Sequence, residues 1–208
     1  NEDKSFEAGS LYKLWVLATA FRLIEKGQLN EDEVLSQDIE ELNRKFEIDK
    51  ENAELTEGLI SLSVKDAMHQ MITISHNYAS LLLADRVKIS KVSEFLSENG
   101  FKDSVVGQPP KTTSSDIALY FEKLYKGELV NPENTQKILD LLKKQELNDG
   151  LPKYLPSGLK IGHKTGDIGM FKHDGCIVFS EKGDYIIVVL SQSDLPIGAQ
   201  EKIAEISK

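Results

Sequence analysis

Residues 159–192 read LKIGHKTGDIGMFKHDGCIVFSEKGDYIIVVLSQ. Short apolar runs rich in β-branched residues fall at about 159–166, 175–181 and 185–192, and these are three strands. Lys182-Gly183-Asp184 is a tight-turn sequence, which makes the last two a hairpin. Upstream the period changes. Between Ser10 and Lys26, Leu11, Leu14, Trp15, Ala18, Phe21 and Ile24 recur at helical spacing, and Gly27 ends the run. Ile39, Leu42 and Phe46 suggest a short surface helix within the polar stretch 30–54. Ser63 caps a helix through Asp66, Met68, Met71 and Ile72. Further helices are expected after Asn77, over 90–99 closed by Gly100, over 114–126, and over 132–145 with Asn131 as cap and Pro132 at the first helical position. Residues 101–111 and 147–158 are loops, marked by Gly107, Pro109 and Pro110 in the first. A last helix begins near Gly198. Helices first, then a strand meander and one helix, is an α+β order.

The chain has 208 residues, 40% hydrophobic and 28% charged. That is one domain over 1–208, long enough for a sizeable core. No apolar run approaches the length of a membrane span. The net charge is −9, with Lys and Arg scattered. This argues against nucleic acid and against anionic membrane surfaces as partners. Cys176, the single cysteine, can form no internal disulfide and reads as a buried, inert thiol. His69, His163 and His173 lack metal-ligand spacing, so no metal and no cofactor are expected.

Three short motifs carry chemistry: Ser10-Leu11-Tyr12-Lys13, Ser75-His76-Asn77 and Lys164-Thr165-Gly166. A serine hydroxyl needs a base before it attacks. Lys13 lies one helical turn from Ser10 on the same face, so its amine can reach that hydroxyl. To act as a base it must be neutral part of the time, which burial and a second positive charge such as Lys164 would bring about. Ser10 at a helix start also gains from the helix dipole. Each motif has a plainer reading. Ser10 can be an N-cap with Lys13 a solvated lysine, and Lys-Thr-Gly can be a strand exit. All three together, in this order, form the parts of a serine acyl-enzyme site.

In these motifs the chain resembles the class A β-lactamases and the penicillin-binding domains related to them. The resemblance runs from about Phe6 to the C-terminus. It takes in the run from Leu55-Thr56 to Ala79, similar to the family's helix leading into Ser-x-Asn, Thr112-Thr113 opening a helix, and His173-Asp174-Gly175 before two apolar strands. It implies a β-lactamase/transpeptidase-like fold with a helical cluster on an antiparallel sheet. It makes Ser10 the nucleophile, Lys13 its base and Ser75 a proton shuttle toward the leaving nitrogen, hydrogen-bonded to Lys164. Asn77 would orient the substrate amide and help hold Lys13. Lys164 and Thr165 would bind the substrate carboxylate, and Gly166 would leave room for the backbone to approach. The backbone N–H groups of Ser10 and Asp167 would form the oxyanion hole. His76 stands where most class A members have aspartate.

The resemblance also exposes departures. Class A members activate the deacylating water with a glutamate in a Glu-x-x-Leu-Asn pattern after Ser-x-Asn, and 78–111 lacks it. Asp103 is the only carboxylate of the short loop 101–111 and is a weak substitute. Acylation is expected to survive and deacylation to be slow. The family carries a helix and two strands before Ser-x-x-Lys, whereas nine residues precede Ser10 here. Three strands alone leave a sheet edge exposed, so a further N-terminal segment completing the sheet is expected. The expected function is opening of a β-lactam amide through an acyl-serine intermediate. The alternatives are a D-Ala-D-Ala carboxypeptidase or transpeptidase on peptidoglycan peptides, and a β-lactam sensor without turnover. Such substrates place the protein outside the cytoplasm.

Overall fold

The computed structural model describes residues 1–208. The strands are β1 (Phe6–Glu7), β2 (Val34–Asp38), β3 (Leu59–Ser63), β4 (Lys111–Thr112), β5 (Lys160–Ile168), β6 (Phe171–Phe179) and β7 (Tyr185–Gln192). The helices are α1 (Tyr12–Glu25), α2 (Ile39–Lys45), α3 (Val64–Thr73), α4 (Asn77–Val87), α5 (Ile89–Glu98), α6 (Ser114–Tyr125), α7 (Pro132–Leu142) and α8 (Pro196–Ile206). Short 3₁₀ turns cover Gly9–Leu11 and Leu151–Tyr154. β5, β6 and β7 form the antiparallel sheet, and β1–β4 and β2–β3 are separate antiparallel pairs. The α+β reading holds.

The helix caps follow from local chemistry. The side chains of Ser63, Thr113 and Asn131 each accept a hydrogen bond from the backbone N–H three residues on, opening α3, α6 and α7. α1 buries nearly its whole length, including Trp15 and Phe21, among the other helices. Each large side chain buried this way contributes roughly 1.5–3 kcal/mol. The central strand β6 joins the two layers. Ile177 packs into the helical core, while Cys176 and Val178 face Leu151 and Ile203 of α8 on the other side. Burial lifts the Cys176 thiol to about 12, which suits an inert apolar group.

Several boundaries differ from expectation. β5 does not end at Gly166 but runs to Ile168, and β6 starts at Phe171 rather than 175, because Gly169 (φ +52°) lets the chain reverse over two residues. Before Ser-x-Asn, α3 follows its Ser63 cap as expected, and the strand β3 precedes it. β1 to β4 were not expected at all. The edge of β7 away from β6 is unpaired, as three strands alone require.

Candidate active site

Ser10 does not open a regular α-helix. It sits in the 3₁₀ turn Gly9–Leu11, two residues ahead of the start of α1. Gly9 makes this possible. Its φ is +49°, and a Cβ there would lie 3.1 Å from the Asp167 backbone nitrogen. The turn is thus laid flat against β5, with the main chain at Ser10 beside that at Asp167. Gly166 completes the fit, since a Cβ on it would lie 2.9 Å from both the Ala8 carbonyl and the Leu11 Cγ. The backbone that Gly166 makes room for on this side is the chain's own, at Ala8.

Two polar side chains, Lys13 and Lys164, converge on Ser75. Lys13 Nζ donates to the Ser75 carbonyl at 2.6 Å, to Asn77 Oδ1 at 2.7 Å and to Ser75 Oγ at 3.2 Å. Lys164 Nζ donates to Ser75 Oγ at 3.0 Å and to the Thr165 carbonyl at 2.9 Å. Both lysines are fully buried. Ser75 itself is held at φ +58°, in the left-handed region, between the end of α3 and the start of α4. That strained conformation turns its carbonyl and its hydroxyl toward the same ammonium. His76 is a cap: its Nδ1 accepts from the Ala79 N–H at 3.1 Å.

Burial, reinforced by the charge of Lys164, holds Lys13 well below the usual lysine range, while Glu54 pulls it partly back. Burial also brings Lys164 down to about 7, against the pull of the Asp174 carboxylate. Lys13 Nζ has three acceptors, the Ser75 carbonyl, Asn77 Oδ1 and Ser75 Oγ, which match the three hydrogens of its charged form; once neutral it keeps the two carbonyl oxygens and turns its lone pair to a hydroxyl.

Ser10 and Asn77 open onto a cleft of about 620 Å³. One wall comes from residues 46–54, the other from 106–110. Gln108 is the only polar side chain the second wall contributes, and its Nε2 donates to the Phe46 carbonyl across the cleft at 2.9 Å. Asp103 is outside this lining, and its N–H donates to Asp116 Oδ2 at 2.9 Å. Thr165 is 8% exposed and, with Lys164, lies behind the cleft surface. Asp167 reaches the cleft, and its carboxylate is paired with Lys172.

Glu54 was missed by sequence reasoning. Its Oε1 accepts from Asn77 Nδ2 at 2.5 Å, so Asn77 bridges Glu54 and Lys13. The loop carrying it has no period and no motif, and only the path of the chain brings it there. His69 is exposed, and His163 and His173 are structural. His163 lies between Asp174 and Asn148, at 3.1 Å from each, and Asp174 Oδ2 also accepts the Leu151 N–H. His173 Nε2 donates to the Glu7 carbonyl at 2.8 Å while its Nδ1 accepts from the Ser191 N–H, tying β1 to the sheet.

The model of the beta-lactamase enzyme family matches residues 1–208. The chain belongs to that family. Among proteins of curated function none matches it in sequence. Similar solved structures include PBP-A, at 24% identity and TM-score 0.84 over 99% of this chain and 80% of that one. A single-residue mutant of PBP-A is described as an acyl-enzyme complex with penicillin G. A β-lactamase from Sphaerobacter thermophilus DSM 20745 aligns at 22% identity and TM-score 0.85, over 100% of this chain and 82% of that one. A class A β-lactamase representative from Bacteroides cellulosilyticus DSM 14838 aligns at 20% identity and TM-score 0.82, over 100% and 83%. At these identities the likeness carries the fold, a β-lactamase-like one, and family membership carries the serine hydrolase class.

Proposed function

We propose that the protein acylates itself on Ser10 with β-lactams, or with the D-Ala-D-Ala peptides whose acyl-amide geometry they share, and releases the acyl group slowly. The observation that carries this reading is the convergence of two buried, depressed lysines on Ser75 Oγ, one of them three residues from Ser10. Lys13, neutral, takes the Ser10 proton as the hydroxyl oxygen attacks the carbonyl carbon. The N–H groups of Ser10 and Asp167 receive the developing oxyanion. Ser75, fed by Lys13 and Lys164, hands a proton to the departing nitrogen. Release is slow because the wall 106–110, where the resemblance would place the water-activating glutamate, offers an amide, Gln108, and the cleft's carboxylates stand elsewhere in its lining.

The same missing carboxylate favours the peptidase reading over an efficient lactamase, since a peptidase needs no fast hydrolysis of a β-lactam adduct. Either substrate lies outside the cytoplasm, where we place the protein. The test is intact-protein mass spectrometry over time with benzylpenicillin. A long-lived adduct on Ser10, absent in Ser10→Ala, is expected. Rapid turnover with penicilloate accumulating would overturn slow release, and no adduct at all would overturn the acyl-serine chemistry.

A further inference from the structure

The charge lining the cleft has one sign. Its charged side chains are those of Glu7, Glu47, Asp49, Glu54 and Asp167, and no lysine, arginine or histidine lines it. Lys172 pairs with Asp167, whereas the other four take part in no ion pair. Three of those four, Glu47, Asp49 and Glu54, stand on one wall. The facing wall, 106–110, is uncharged. Buried Lys13 and Lys164 sit behind Ser75, on the side of the attacking and leaving groups.

Asn77 relates this charge to a bound substrate. Its Nδ2 has two hydrogens and its Oδ1 is taken by Lys13 at 2.7 Å. Glu54 accepts one of the two hydrogens at 2.5 Å. The second is left for the acyl-side amide of a donor attacked by Ser10. A carboxylate therefore stands next to the acyl side chain, with Glu47 and Asp49 further along the same wall. No three acidic groups converge as they would on one metal ion. The complement to a carboxylate row spread along a wall is an organic cation on a side chain. Low-dielectric cleft walls focus such a field and raise its effect on a charged ligand.

Resting on the acyl-serine reading above, we propose that this cleft selects acyl donors whose acyl side chain carries an ammonium group, with Glu54 as the specificity-determining residue. Among peptides these are donors with a free amine on the acyl side of the scissile bond.

Three penicillins test this on one scaffold. Benzylpenicillin has hydrogen at the α-carbon of its acyl side chain, ampicillin an ammonium and carbenicillin a carboxylate. The second-order rate constant for adduct formation on Ser10 is measured for each by mass spectrometry, at one pH and low salt. The expected order is ampicillin, benzylpenicillin, carbenicillin, spanning about tenfold, as one-sided charge in a cleft implies. The span contracts at high salt. Glu54→Gln keeps an oxygen for Asn77 Nδ2 but removes the charge, and the span contracts to about threefold. Asp49→Asn, at an exposed position, narrows it independently. Equal rates, a reversed order, or a span unchanged in both variants would overturn the proposal while leaving the acyl-serine chemistry standing. Failure of all three to label Ser10 takes both down.

Discussion

Two ammonium groups around one serine hydroxyl cannot both stay charged without cost, and their protons leave as a coupled pair. Lys13 and Lys164 approach Ser75 Oγ at 3.2 and 3.0 Å, and neither side chain is exposed to solvent. Burial is the larger cause of the Lys13 shift, and the Lys164 charge is the second. The sign of a substitution follows. A base whose value is depressed becomes neutral at a lower pH, so acylation keeps its rate further into the acid range. Lys164→Met removes the neighbouring charge, lets Lys13 rise toward the ordinary lysine value, and moves the acid limb of acylation to higher pH. The pH profile of benzylpenicillin adduct formation in wild type and variant reads this directly. A limb that stays in place or moves to lower pH would mean that Lys164 does not act on Lys13.

The contact between the 3₁₀ turn and β5 sets where Ser10 points. Gly166 faces the Ala8 carbonyl and Leu11, and neither can retreat easily: the Ala8 N–H is bound to the Pro110 carbonyl at 2.8 Å, and Leu11 is fully buried. Gly166→Ala pushes the turn off the strand. The expected cost is about 1–3 kcal/mol of stability, with Ser10 labelling slowed by at least about tenfold, since small misplacements of reacting groups are costly. Denaturant titration and the labelling rate check the two parts, and a variant that labels at the wild-type rate would show that the turn is not held this way. Much at this scale was legible beforehand. Helical apolar spacing and the caps Ser63 and Asn131 predict α1, α3 and α7, because a helix is decided by residues within a few positions of one another. β1 and β4, two residues each, exist only through the pairing of Phe6 with Thr112 across the chain, which no local pattern announces. The same division runs through the site. Ser10, Lys13, Ser75, Asn77 and Lys164 stand in short motifs, whereas Glu54 and Gln108 reach the cleft through irregular loops.

For the whole molecule, the site is a stability burden, and its size depends on pH. In the unfolded chain Lys164 regains the ordinary lysine value of about 10.4. Folded, it lies at about 7. Between these two values the unfolded chain holds a proton that the folded protein does not, so stability rises with pH across the window. As pH falls from about 10.4 to about 7 that stability is lost, and below about 7 the penalty of a buried charge is present in full and no longer changes. Lys13, shifted in the same direction, adds to the slope. Lys164→Met keeps the length of the side chain and removes the charge. It should be more stable than wild type near pH 7 by on the order of 2–3 kcal/mol, with the gain shrinking toward pH 10. Burial also raises Cys176 and Tyr120, but both are common to the two proteins and cancel in the difference. Urea denaturation of the pair at several pH values measures it. A gain that is flat with pH would mean that Lys164 keeps its proton in the folded state, and that the charge at this serine site is compensated rather than expelled.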